Sequence, residues 1–478
     1  MKTNQIMVVD LDGTLTLTDT LHESILGLVR KKPHFLFLLP FWLLKGIAFL
    51  KLKVSENYVL NVTTLPYNLP LINWLKKLKA CGKKIVLCTA ANKLIALAVS
   101  EHLNLFDDVI SSDGNTNLKG INKRKILEKK FGYKGFDYAG NNKTDLEVWS
   151  SAYNAIVVNA STTLQKKASK VAIVSDTFTS QGIKFLDWIS ALRIYQWIKN
   201  LLLFVPVLAA HQLDNVQSLK ILMLAFLSFS LCASSVYITN DLLDMESDRK
   251  HPRKRHRPFA SAKLSIKAGL VIIPLLIGLS ILLGQMVGSK FLSILIIYLI
   301  LTVTYSLVLK RFVLVDCIIL ATFYTIRVIA GAVALSTPLS FWLLAFSVFI
   351  FFSLALLKRY VELMVRAQAR KNTVNERGYE VSDASLLQIL GVSSGFISTL
   401  VVALYVQSKE VMVLYANPKM IWFMMPIILF WVSWVWLKAV REEMYDDPII
   451  FAMKDKTSLI VLGLTVFIIF FAATGVKI

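Results

Sequence analysis

From about Trp197 onward the chain is a succession of apolar runs of membrane-spanning length, separated by basic loops. Few features constrain a fold more. Backbone inside hydrocarbon must satisfy its own N–H and C=O groups, and a run of about 20 apolar residues does so as a helix. Nine candidate spans are read, at about 198–213, 219–240, 268–286, 290–309, 312–335, 339–357, 386–407, 419–437 and 458–476. With 55% hydrophobic residues over 478 positions, the chain is too apolar for a soluble protein of this length.

The loops set the orientation. With the N-terminus cytoplasmic, the inside segments hold Arg193, Lys199, the cluster from Arg249 to Lys267, Lys310, Arg311, Lys358, Arg359, Arg366, Arg370, Lys371, Arg377, Lys438, Arg441, Lys454 and Lys456. The outside segments hold Lys220, Lys290, Lys409, Lys419 and Lys477. Every strongly basic loop falls on one side, which predicts a multi-pass protein of the cytoplasmic (inner) membrane with its C-terminus outside. The formal net charge of +22 sits in these loops, so anionic lipid and anionic substrate are its expected partners rather than nucleic acid. Cys81, Cys88, Cys232 and Cys317 have no metal-type spacing, as expected for a reducing cytoplasm or a membrane core.

The first 180 residues differ. Strands are expected at Ile6–Val9, Lys84–Cys88, Phe136–Gly140 and Ala155–Asn159, with helices over Leu71–Ala80, Asn92–Leu103 and Lys123–Phe131. Met1-Lys2-Thr3-Asn4 leads straight into the first strand, so no signal peptide is read there. Such alternation predicts an α/β domain with a parallel sheet whose polar strand ends form a site. An insert over about 18–68 contains HFLFLLPFWLLKGIAFLKL (residues 34–52), interrupted by Pro40 and Gly46 and flanked by lysines. It is either a cap segment lying in the membrane interface or a buried helical hairpin. The expected organisation is 1–180 soluble, 181–197 a linker and interfacial helix, and 198–478 an all-α membrane domain.

The segment Asn240-Asp241-Leu242-Leu243-Asp244-Met245-Glu246-Ser247-Asp248 carries the clearest chemistry. Asp241, Asp244 and Asp248 are spaced i, i+3, i+7, which on one helix shares a face. Carboxylates so close at the end of an apolar span repel, and Mg²⁺ with a substrate phosphate removes the conflict. Arg249, Lys254 and Arg257 follow directly as phosphate-binding cations.

These residues resemble the first aspartate motif of the UbiA superfamily of intramembrane prenyltransferases, and nine spans resemble its fold; the likeness runs from about Asp187 to the C-terminus. The chain departs from the members that prenylate aromatic acceptors. Where they have a second acidic motif it reads Leu357-Lys358-Arg359-Tyr360-Val361-Glu362. Three stretches look instead like the branch that makes polyprenyl-phosphate phosphoribose: Arg193-x-x-Gln196-Trp197-x-Lys199-Asn200, the run from Asp248 to Pro258, and Lys358-Arg359-Tyr360-x-Glu362. Tyr305, Lys310, Asp316 and Arg327 sit where that branch has polar residues. The resemblance implies Mg²⁺-dependent transfer of 5-phosphoribose from phosphoribosyl diphosphate to a polyprenyl phosphate. Asp241, Asp244 and Asp248 would hold the metal, with Asn240 beside them; Lys254, Arg257, Lys358 and Arg359 would hold phosphates, and Lys199 and Lys310 the lipid phosphate. Arg327 lies inside a span and is expected to pair with Asp316 or a substrate anion, or to tie helices together.

Asp10-Leu11-Asp12-Gly13-Thr14 resembles the nucleophile loop of haloacid dehalogenase-like phosphatases. The resemblance implies Asp10 as nucleophile, Asp12 as general acid/base, Thr89 and Lys123 as phosphate-binding residues, and Asp10, Asp12 and Asp145 around Mg²⁺. Asn141 stands where the family usually has an acid. A fused phosphatase implies removal of the 5-phosphate from the lipid product. Two other readings remain open: a prenyltransferase moving a prenyl chain to a small acceptor, with Glu362 and Asp383 as the nearest second-site acids, and a non-catalytic lipid-binding scaffold with two decayed sites.

Overall fold

The computed structural model describes residues 6–112, 118–179, 182, 184–209, 215–368, 378–444 and 447–474. Met1–Asn4, the first span beyond 209, Arg370, Lys371, Arg377 and Lys477 lie outside the described residues. The chain forms two units, Met1–Leu192 with Tyr237–Ile272, and Arg193–Val236 with Ile273–Ile478.

The first unit is built on a six-stranded, all-parallel sheet: β1 Ile6–Val9, β2 Ile85–Asn92, β3 Asp108–Ser112, β4 Phe136–Gly140, β5 Asn154–Val158 and β6 Ile173–Phe178, in the order β3-β2-β1-β4-β5-β6. Period-2 geometry divides β1 between two cores. Met7 and Val9 pack with Leu75, Leu87 and Val99 on one face, and Val8 packs with Val86, Tyr138 and Trp149 on the other. Burial on both faces explains why β1 is continuously apolar. The order reverses at β1, between β2 and β4, which brings the loops after β1 and β4 together as a ligand crevice. This is the parallel sheet that the alternation of strands and helices predicts.

Two strands were not expected from sequence. β3 reads DVISS and is half-buried, and β6 is an edge strand with alternate residues exposed, so neither shows an apolar run. Residues 173–178, inside the expected 1–180 domain but with no element assigned to them, extend the sheet.

The insert after β1 forms helices at Thr20–Lys31, Leu39–Leu44 and Ile47–Asn57 with short 3₁₀ turns between and after them. Asp19 caps the first, its carboxylate accepting from the N–H groups of Leu21 and His22. Gly46, at φ +106°, makes the break between the last two, a conformation that glycine adopts at little cost.

Among the described residues, in the second unit and the helices that lead into it, eight helices are long and apolar enough to cross a membrane, Val216–Leu243, Ile266–Val287, Ser289–Leu307, Val315–Ala334, Phe341–Ala367, Val381–Val406, Pro418–Val440 and Lys456–Thr474. A ninth exists if Phe185–Leu192 and Ile194–Ala209 count as one broken span. The expectation of a linker and interfacial helix over 181–197 followed by a regular span is corrected there. The helix ends at Leu192, Arg193 takes φ +51°, and Ile194–Phe204 is 3₁₀. Small residues allow close helix approach inside this unit. A Cβ on Gly331 would meet the Leu203 carbonyl oxygen at 2.0 Å, and one on Gly391 would meet the Trp436 ring at 2.1 Å.

Candidate functional site

In the first unit, β1 delivers Asp10 and Asp12 into the crevice. The turn after them depends on Gly13, at φ +76°, where a Cβ would lie 1.9 Å from the Asn141 side chain. Lys123 reaches in from the helix Ile121–Phe131; its Nζ donates to Asp10 Oδ1 at 2.7 Å and to the Tyr138 hydroxyl at 2.9 Å. That hydroxyl donates to Asp145 Oδ1 at 3.0 Å, and Asp145 Oδ2 accepts from the backbone N–H of Asn141 and of Asn142. Asp10, Lys123 and Asp145 are thus brought together. Tyr138, the link between them, was not singled out from sequence, because a tyrosine inside an apolar strand reads as core. Thr89 is buried within β2, where the strand's register breaks, its hydroxyl accepting from the Ala91 N–H.

Electrostatics here follow from burial. Asp12, whose Oδ1 accepts from the Thr20 N–H, has its carboxyl pushed up to about 7 by desolvation and by Asp19. A carboxyl poised there can give and take a proton near neutrality. Burial works against the Lys123 cation, but Asp10 and Asp145 outweigh it and hold the ammonium above the usual lysine range. The Thr14 hydroxyl is buried without a hydrogen-bond partner among the described residues. Carboxylates and an amide are the hard oxygen donors Mg²⁺ takes. From the cap, Lys51 reaches the crevice and donates to the Ala90 carbonyl at 2.6 Å, a residue sequence inspection read only as a membrane-flanking cation.

The same unit contains the aspartate motif. The long helix ends at Leu243, Asp244 forms a turn, and a short helix resumes over Met245–Lys250. This corrects the expectation of three carboxylates on one continuous helix face. Asp241 and Asp248 are buried and share a single cation: Arg257 donates from one guanidinium nitrogen to Asp241 at 3.1 Å and to Asp248 at 2.7 Å. Burial raises the Asp248 carboxyl against the pull of Arg257 and Lys254. The pair is therefore spaced for one positive ion, and Mg²⁺ binds through one or two protein carboxylates, so these residues fit it. Among the described residues no three His, Cys, Asp or Glu side chains converge as a ready-made metal cluster.

Asp244 turns to Arg30 of the cap, at 3.4 Å. Arg249 forms a fork on Glu23, 2.6 and 3.1 Å from its two oxygens, and also donates to the Ala260 carbonyl. Glu246 accepts from Tyr58, Asn61 and Lys250. Asn240 is half-buried on the helix end and Lys254 is exposed. Glu23 and Arg30 stand seven residues apart on one face of Thr20–Lys31, but only their distant partners distinguish them from ordinary surface charges.

The second unit gathers a separate set of buried charges. Lys199 and Lys358 both donate to Asp447 Oδ2, at 2.8 and 2.9 Å. Asp447 was not singled out from sequence; the available signal was its place before Pro448, where its side chain caps the helix Pro448–Lys454. Asn200 donates to the Ser230 hydroxyl and accepts from Arg327 at 2.7 Å. Arg327 also donates to the Tyr298 hydroxyl and the Phe323 carbonyl. Its expected partner Asp316 is taken by Arg359, at 2.6 Å. Arg327 and Asp316 lie on one helix, eleven residues or roughly 16 Å apart along its axis, so they cannot meet. Arg359, almost fully buried, also pairs with Glu362 at 2.6 Å and donates to the Tyr305 hydroxyl, while Tyr379 donates to the other Asp316 oxygen. Lys310 stands on the 3₁₀ turn Leu309–Arg311.

A family model described as the UbiA prenyltransferase family matches residues 201–454. The uncharacterized protein y4nM of Sinorhizobium fredii is 34% identical over 457 residues, covering 95% of this chain and 88% of that one. Nodulation protein NoeC of Azorhizobium caulinodans is 36% identical over 292 residues, 60% of this chain and 94% of that protein. The decaprenyl-phosphate phosphoribosyltransferase of Mycobacterium tuberculosis is 36% identical over 180 residues, 37% of this chain and 59% of that protein. Matched over more than half its length, the chain belongs to the UbiA prenyltransferase family.

Proposed function

We propose that this multi-pass membrane enzyme transfers 5-phosphoribose from phosphoribosyl diphosphate to a polyprenyl phosphate, and that its N-terminal domain then removes the 5-phosphate. The observation that carries this reading is the basic set of the buried Lys199, Arg327 and Arg359 with the half-buried Lys358, in a chain whose sequence lacks a second acidic motif there. A prenyl diphosphate presents one diphosphate, whereas phosphoribosyl diphosphate and a lipid phosphate together present three phosphorylated positions, and cations suit the second pair. The partial likeness to a decaprenyl-phosphate phosphoribosyltransferase supports the same choice.

In the transfer, an oxygen of the lipid phosphate attacks the anomeric carbon, the bond from that carbon to the diphosphate breaks, and diphosphate leaves. Asp241 and Asp248, with Asp244, would hold Mg²⁺, which when bound neutralises charge on the departing diphosphate. Arg257 and Lys254 bind donor phosphates, and Lys199, Lys310 and Lys358 bind the lipid phosphate. In the second reaction Asp10 attacks phosphorus, the bond from phosphorus to the ribose 5-oxygen breaks, and Asp12 protonates that oxygen. Asp12 then takes a proton from the water that releases phosphate from Asp10. Lys123 and Thr89 hold the phosphoryl oxygens. The basic loops support a cytoplasmic N-terminal domain, where phosphoribosyl diphosphate is soluble.

Membranes holding the full chain, given labelled phosphoribosyl diphosphate and polyprenyl phosphate, are expected to place label in lipid only with Mg²⁺ and not with Asp241→Ala. Unlabelled lipid in the unaltered protein, with transfer seen instead from a prenyl diphosphate, would overturn the reading in favour of prenyl transfer.

A further inference from the structure

The cap of the N-terminal domain carries a surface that neither proposed reaction uses. Leu36, Phe37, Phe41, Leu43, Leu44 and Ile47 are all exposed, Phe37 at 75% and Leu44 at 84%. The helix Leu39–Leu44 has no buried residue. Nor is this a cap lacking a core, since Leu28, Phe35, Leu50, Val54 and Tyr58 form one beneath it. Exposed apolar side chains concentrated in one short segment mark an interaction site.

Charge and position select the occupant. Lys31, Lys32 and Lys45 flank the apolar segment and no Asp or Glu lies between Lys31 and Lys53, so the charges the segment itself carries are cationic; Lys53 is paired with Glu56 and Lys51 with the Ala90 carbonyl. The cap is also fastened to the chain immediately beyond a membrane-length helix. Glu23 grips Arg249, Tyr58 and Asn61 grip Glu246, and Arg30 pairs with Asp244. These partners begin one residue after Leu243, the end of Val216–Leu243, and lie within roughly 10 Å of it along the chain's helical rise. Whatever meets the cap must be found at the membrane surface, be apolar and carry negative charge at its border.

We infer that residues 36–47 insert into the interfacial layer of the bilayer, with the apolar side chains at the acyl boundary and Lys31, Lys32 and Lys45 among anionic headgroups. If the phosphatase reading holds, this deepens it, because a cap seated in lipid sets the Asp10 crevice beside a phosphate that never leaves the membrane.

The test uses the full chain in nanodiscs containing anionic lipid. On a Cys81→Ser background, which removes the exposed cysteine, an environment-sensitive fluorophore is placed at Phe41→Cys and, as a control, at the exposed Tyr133→Cys. The label at 41 is expected to emit to the blue of the control, to be quenched by headgroup-region nitroxide lipids and to be shielded from aqueous iodide. Iodide quenching equal to the control, without quenching by nitroxide lipids, would overturn the inference. A Phe37→Glu/Phe41→Glu/Leu44→Glu variant supplies a second readout. It is expected to keep hydrolysis of p-nitrophenyl phosphate, which also shows that it folds, and to lose roughly tenfold or more of hydrolysis of a lipid-linked phosphate. Equal retention of both counts against the inference. If the unaltered protein hydrolyses neither substrate, the phosphatase reading fails while the quenching result still decides the surface.

Discussion

A single carboxylate separates two cations in the second unit. Burial pushes the Asp447 carboxyl up, but Lys358 and Lys199 outweigh it and hold it below the usual carboxylate range. Replacing it by Asp447→Asn leaves both ammonium groups without their partner in a largely dry site, which costs about 3–5 kcal/mol where a buried pair is broken. Thermal unfolding in detergent is expected to report that loss. The pH dependence has a definite sign. Because the folded-state carboxyl is held down, its stabilisation is complete above the unfolded value of about 3.9 and drains away as pH falls through it. The unaltered protein should therefore lose stability more steeply below about pH 4 than Asp447→Asn does. A parallel decline in the two proteins would show that the pair contributes nothing. Which residues carry charge was legible in the sequence; which pairs they form was not. Lys199, Lys358, Arg327 and Arg359 all stood out as cations near spans. Asp447 did not, since one acid in a loop looks like any other until two lysines from distant helices meet it.

Elements were legible in proportion to their regularity. Long apolar helices and the buried strands β1, β2, β4 and β5 announce themselves through periodicity. The edge strand β6 and the half-buried β3 do not, nor does the 3₁₀ run Ile194–Phe204. The turn at Asp244 also escaped, because the residues around it suit a helix; there the helix breaks as the second aspartate of the motif turns to Arg30. The cap helix Thr20–Lys31 gives this scale its prediction. Glu23 and Arg249 form a buried, forked ion pair, so Glu23→Arg and Arg249→Glu should each strip it and loosen the cap, seen as faster proteolysis between 18 and 68. The combined swap should recover protection, with a coupling of roughly 1–3 kcal/mol. Simple additivity of the two single effects would mean that the pair is incidental to the docking of the cap.

For the whole molecule, the proposed order of reactions predicts what one substitution leaves behind. Asp10→Asn should not change label transfer from phosphoribosyl diphosphate, yet labelled lipid should keep its 5-phosphate, which an added phosphatase then removes. If 5-phosphate removal in membranes is unchanged, the relay between the two activities is wrong. The relative y4nM matches across 95% of this chain and 88% of its own length, so the match takes in both the N-terminal α/β region and the UbiA region.

Sequence alone determined that this chain crosses a membrane many times, that an α/β domain precedes the spans, and that carboxylates crowd two short segments. Those are statements about local composition and period, which a linear chain carries openly. Tertiary structure decided that Arg257 bridges Asp241 and Asp248, that Arg359 rather than Arg327 takes Asp316, and that Asp447 holds two lysines. Ion pairing depends on helix rotation and on chain segments far apart in sequence, and Coulomb attraction selects among many oppositely charged candidates only once packing has fixed their distances.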